Sequence, residues 1–106
     1  MDDILPTSFQ ISQNYPNPFN EKTTIKYCIP RKSRIKLTVY NSDVKVIKEL
    51  VSAVQEAGTY EVDFFAKGLP IGKYYYEFEA GNDRMNSTEK QVRGGFTDSK
   101  EMLLIE

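Results

Sequence analysis

The stretch Leu69-Pro70-Ile71-Gly72-Lys73-Tyr74-Tyr75-Tyr76-Glu77-Phe78-Glu79 decides the fold. Its first half is turn chemistry, because proline fixes one φ and glycine permits a tight corner at Gly72. Its second half alternates, with Tyr74, Tyr76 and Phe78 on one side and Tyr75, Glu77 and Glu79 on the other. A period of two with one apolar side is the signature of a half-buried strand. Tyr74, at the start of that strand, is placed to return its hydroxyl to nearby backbone, because a buried tyrosine needs a partner for its polar end.

The same rhythm runs outward in both directions. Ile25, Tyr27 and Ile29 alternate with Thr24, Lys26 and Cys28; Ile35, Leu37 and Val39 alternate with Lys36, Thr38 and Tyr40. Tyr60, Val62 and Phe64 alternate with Glu61, Asp63 and Phe65. Clean two-faced strands belong to antiparallel sheets. Phe9 and Ile11 suggest a short first strand, and Met102 to Ile105 a last one. Between Val44 and Val51 the parity changes, which either a β-bulge or a short helix accommodates. About seven short strands separated by turns predict an all-β fold, an immunoglobulin-like antiparallel β-sandwich. Residues 9–106 form that domain behind a linker at 1–8. The polar stretch 81–95 reads as a long loop or hairpin excursion before the last strand. Its Asn86-Ser87-Thr88 fits a glycosylation acceptor, a tripeptide common by chance.

Upstream, Asn14-Tyr15-Pro16-Asn17-Pro18-Phe19-Asn20 suits neither a helix nor a central strand. Each proline removes a donor and extends the residue before it, and the asparagines favour turns. The run is expected to be a stiff element at a sheet edge or corner, pinned by Tyr15 and Phe19. It either blunts unwanted sheet pairing or is read by a partner.

Composition excludes several functions. The 106 residues suffice for one core, and 14 Lys and Arg against 15 Asp and Glu leave no basic field for nucleic acid. The absence of histidine removes imidazole catalysis and imidazole metal ligands. Cys28 stands alone and closes no internal disulfide. No apolar run has the length of a membrane span. Met1-Asp2-Asp3 opens nothing like a signal peptide, so an exported protein would carry its signal on a longer parent chain. No cofactor is called for. Asn41, Asp43, Asn82 and Asp83 lack the ligand spacing of a calcium loop and read as turn formers. The pairs Glu61 with Asp63 and Glu77 with Glu79 read as solvated charge on strand faces, with no catalytic constellation.

Taken in order, the proline run, Thr23-Thr24-Ile25-Lys26-Tyr27, Leu37-Thr38-Val39-Tyr40-Asn41, Ala57-Gly58-Thr59-Tyr60, the stretch from Leu69 to Tyr76, Ala80-Gly81-Asn82 and Lys100-Glu101-Met102-Leu103-Leu104-Ile105 resemble the C-terminal sorting domain of type IX secretion cargo proteins. They also resemble the related immunoglobulin-like module of flagellar hook-capping proteins. Three features depart from the family pattern. Val44 stands where a glycine is usual, so that Asn41 or Asp43 is expected to supply any positive φ. The closing strand has Lys100 in place of several lysines and runs to Glu106. The excursion at 81–95 is longer.

The resemblance implies a non-enzymatic domain of a larger exported bacterial protein. It would be carried through the periplasm to the cell surface or the medium, recognised by outer-membrane secretion machinery and removed from its upstream cargo domain by a sortase-like peptidase. The edge of the last strand is expected to offer backbone groups to that machinery as in strand addition. The export-recognition candidates are Asn14, Pro16, Asn17, Pro18, Phe19, Asn20, Lys100, Met102, Leu103, Leu104 and Ile105, with Gly72 and Tyr74 as the structural corner. A second reading, from another class, is a carbohydrate-binding module of a secreted hydrolase that stacks sugars on a stripe of exposed Tyr40, Phe65 and Tyr75; a third is a plain structural spacer.

Overall fold

A computed structural model describes residues 8–81 and 96–106. The strands are β1 (Gln10–Ile11), β2 (Lys22–Ile29), β3 (Ser33–Asn41), β4 (Val46–Gln55), β5 (Gly58–Phe65), β6 (Gly72–Gly81) and β7 (Phe96–Leu104). They form two antiparallel sheets, β1-β2-β5 and β4-β3-β6-β7, with no helix among the described residues. The all-β reading, with seven strands in a two-sheet sandwich, is what the molecule adopts.

The alternation sets the packing. Ile25, Tyr27 and Ile29 from β2 meet Ile35, Leu37 and Val39 from β3 and Tyr74, Tyr76 and Phe78 from β6, all buried. The rings interlock, Tyr27 stacking on Tyr60 and tilting against Phe78 with centroids 5.4 and 5.0 Å apart. Each buried phenol ends on an acceptor. Tyr27 donates to Gln55 Oε1 and Tyr76 to the Ser12 carbonyl, both at 2.6 Å. Burial pushes the Tyr27 hydroxyl up to about 12 and raises that of Tyr76 as well.

The parity change after Val44 is neither a helix nor a single bulge. β4 is one strand whose register against β3 shifts twice, between Leu37 and Thr38 and between Val39 and Tyr40. Leu50 and Ile47 are the extra residues, and both lean on the core. The turn before it departs from expectation too. Val44, not Asn41 or Asp43, takes the left-handed conformation, with φ 62°. Asn41 serves differently: its Oδ1 accepts from the amides of Asp43 and Lys45, and its carbonyl from that of Val44. That anchored turn leaves the positive φ to the fourth residue, whatever its side chain. β7 begins at Phe96, six residues before the apolar run that marks it in the sequence. Asn82, Asp83 and Asn86-Ser87-Thr88 lie outside the described residues.

Candidate functional site

The proline run and the closing strand, far apart in sequence, meet along one sheet edge. The Phe19 amide donates to the Leu103 carbonyl at 3.0 Å, and the Ile105 amide donates to the Phe19 carbonyl at 2.8 Å. The Phe19 ring is buried, edge-on to Phe64. The Leu103 amide donates to Asn17 Oδ1, and Gln13 Nε2 donates to the Glu101 carbonyl. Farther up, the Ser99 amide donates to Asp98 Oδ1. The outward amide and carbonyl of Leu103 and the Glu101 carbonyl are thus already bonded, which leaves little of the end of this edge to the strand addition expected from the sequence. Lys100 and Asp98 occupy inward-facing positions opposite Tyr76 and Phe78, a further device against pairing with another strand.

Within the run, both X-Pro bonds are cis, Tyr15-Pro16 and Asn17-Pro18. Asn14 holds the first half. It is buried, its Nδ2 donating to Thr23 Oγ1 and the Pro16 carbonyl, while Thr23 Oγ1 donates to the same carbonyl. Gln13 Nε2 completes the set by donating to Asn14 Oδ1. Tyr15 departs from expectation. Its backbone exchanges two hydrogen bonds with Thr24, but its ring is 80% exposed and pins nothing. Strand β2 holds the main chain at this position, so its side chain is free to point to water.

The candidates therefore divide. Asn14, Phe19, Met102 and Leu104 have buried side chains. Pro16, Asn17, Pro18, Asn20, Leu103 and Ile105 are exposed, and Lys100 is half-buried. Ile71 is exposed just before Gly72, whose partner across the sheet is Leu104, and Lys73 pairs with Glu101 at 3.1 Å. Gln13, Thr23 and Glu101 belong to the same unit, and sequence reasoning passed them over. A buried Thr within β2 carries no signal of its own until Asn14 is placed against it.

At the corner, Gly72 has φ 141°, a conformation that disfavours a side chain although no atom stands near its Cβ position. The Tyr74 hydroxyl donates to the Pro70 carbonyl at 2.6 Å. The aromatic stripe does not exist as one surface. Tyr40 and Tyr75 pair on the outward side of the four-stranded sheet, whereas Phe65 lies outward on β5, in the other sheet, with the Lys22 ammonium 6.0 Å from its ring centroid. On that second sheet Lys22 pairs with Asp63 and Lys26 with Glu61. Among the described residues no group of three or more His, Cys, Asp or Glu is placed to hold a metal ion.

Comparison with known families agrees with this architecture. The profile described as the secretion system C-terminal sorting domain matches residues 13–92, from the residue before the buried Asn14 through β6. Neither a curated protein nor a solved structure matches the chain. With the greater part of its length matched, the chain belongs to the family of type IX secretion C-terminal sorting domains.

Proposed function

We propose that this domain is the export and surface-sorting signal of a larger secreted protein, working by being recognised and not by catalysis. The observation that carries the reading is the backbone junction of Phe19 with Leu103 and Ile105. It makes the proline run and the closing strand one rigid surface, so a receptor that reads either must meet both. With the end of the strand edge occupied at Leu103, recognition there falls to side chains: Asn20, Pro18 and Asn17 from the run, and Leu103, Ile105 and Lys100 from the last strand. Asn14, Pro16, Phe19, Met102 and Leu104 then act as supports that fix the surface. The partners are outer-membrane components of the secretion machinery and a sortase-like peptidase, which would release the domain from its upstream cargo at the cell surface.

The test fuses residues 1–106 to the C-terminus of a periplasmic reporter in a type IX-competent cell. The wild-type tail delivers the reporter to the surface or medium. Leu103→Asp with Ile105→Asp, both at exposed positions, leaves it in the periplasm with the domain folded. Retention of the wild-type fusion overturns the reading.

A further inference from the structure

The outward side of the four-stranded sheet carries a second constellation, away from the junction of Phe19 and Leu103. Register places Tyr40 beside Tyr75, Thr38 beside Glu77, and Lys36 beside Glu79. Tyr40, Val44, Tyr75, Glu77 and Ser99 line a shallow depression of about 380 Å³. The Tyr40 hydroxyl donates to Glu77 Oε1 at 3.3 Å.

The charges here are unbalanced. Lys36 pairs with Glu49 at 4.0 Å and Lys73 with Glu101, while Glu77 and Glu79 enter no ion pair within 4.0 Å among the described residues. Burial raises the Glu79 carboxyl above its usual range, and the neighbouring Glu77 adds to the effect. Thr38, between Glu49 and Glu77 on the same side of the sheet, is only 3% exposed and lies beneath the depression, beside Tyr40.

Two phenol rings and two adjacent carboxylates that enter no ion pair within 4.0 Å among the described residues suit one chemical class. Ring faces attract cations, and adjacent carboxylates match the planar fork of a guanidinium, which also stacks on aromatic surfaces. A neutral sugar would leave both carboxylates uncompensated. We infer that Tyr40, Tyr75, Glu77 and Glu79 form a docking site for an arginine side chain presented by a partner protein. The site goes beyond the sorting role and occupies a different surface, so either can fail without the other.

The test titrates the isotope-labelled 106-residue domain with acetyl-Gly-Arg-Arg-Gly-amide, followed by NMR, beside the same peptide with citrulline in place of arginine. The arginine peptide gives saturable shifts at Tyr40, Tyr75, Glu77 and Glu79, and the uncharged isostere gives none. Glu77→Gln with Glu79→Gln weakens binding at least about tenfold, as loss of charge-assisted bonds requires; Tyr75→Ala weakens it independently. Glu61→Gln with Asp63→Asn, on the other sheet, leaves it unchanged. Shifts spread evenly over the carboxylates of both sheets, or undiminished in the double Glu→Gln variant, overturn the site. So does saturation of the tyrosine signals by cellohexaose, which would assign the depression to a sugar.

Discussion

The amide of Phe19 donates to the carbonyl of Leu103, and through that bond an irregular run near the start of the domain becomes the neighbour of its last strand. The run has few hydrogen bonds of its own, so its shape depends on Asn14 on one side and Phe19 on the other.

Asn14→Ala is expected to cost about 1–3 kcal/mol in urea unfolding, because it strips the Pro16 carbonyl and the buried Thr23 hydroxyl of a partner. Tyr15→Ala, one residue on, is expected to stay within about 0.5 kcal/mol of wild type, since its ring touches water. Equal costs at the two positions would refute the assignment of Asn14 as the support.

Tyr74→Phe removes the donor to Pro70 O while keeping the ring. The expected loss is about 1 kcal/mol, the net worth of a neutral hydrogen bond. An unchanged denaturation midpoint would show that the corner is held by packing alone.

Val44 occupies a backbone conformation that costs a β-branched residue on the order of 1–3 kcal/mol. Glycine escapes that cost but loses more freedom on folding. Val44→Gly is therefore expected to stabilise the domain by about 1 kcal/mol, a rise of roughly 4–8 °C in Tm by calorimetry. A fall in Tm would mean that the Val44 side chain contributes more than its exposure suggests.

Glu79 has its folded-state pKa raised, by burial first and Glu77 second, against the pull of Lys36. The sign follows: the protonated form is favoured in the fold, so its contribution is fully present below the unfolded value and is lost as pH rises through the folded one. Glu79→Gln is expected to raise Tm at pH 7 and to leave it unchanged near pH 3. A Tm gain of equal size at both pH values would count against a charge effect.

At the alkaline end, burial raises the hydroxyls of both Tyr27 and Tyr76, the former to about 12. Stability is then retained up to the unfolded value near 10 and falls as pH rises from there through the folded value. Unfolding monitored by tyrosinate absorbance should be cooperative above pH 10. Gradual ionisation of Tyr27 without loss of the fold would contradict its placement.

The strands whose inward residues are apolar were legible because burial enforces a period of two: β2, β3, β5 and β6 follow the written alternation. Strand β7 was legible only at Met102 and Leu104. Its first half places Asp98 and Lys100 inward, so no apolar pattern marks it. The two bulges in β4 were hidden because parity reports that a register changes and not how often. The site was half visible. Residue chemistry locates a stiff run and a closing strand; only the fold shows that they touch, that the Tyr15 ring faces water, and that the run takes up the strand edge at Leu103. Val44 escaped because nothing in a valine announces positive φ; the anchoring of Asn41 imposes it.

The order in which the chain is made gives the position of β7 another meaning. Among the described residues, Met102 and Leu104 follow every other buried side chain in the chain, and they share one core with Phe19, Tyr74 and Tyr76, made long before. Growing from its N-terminus, a nascent chain that has not reached them holds those aromatics uncovered and leaves the proline run without its anchor. Only when β7 has been added does the core close, so a product cut before Met102 lacks both the end of that strand and the partner of Phe19.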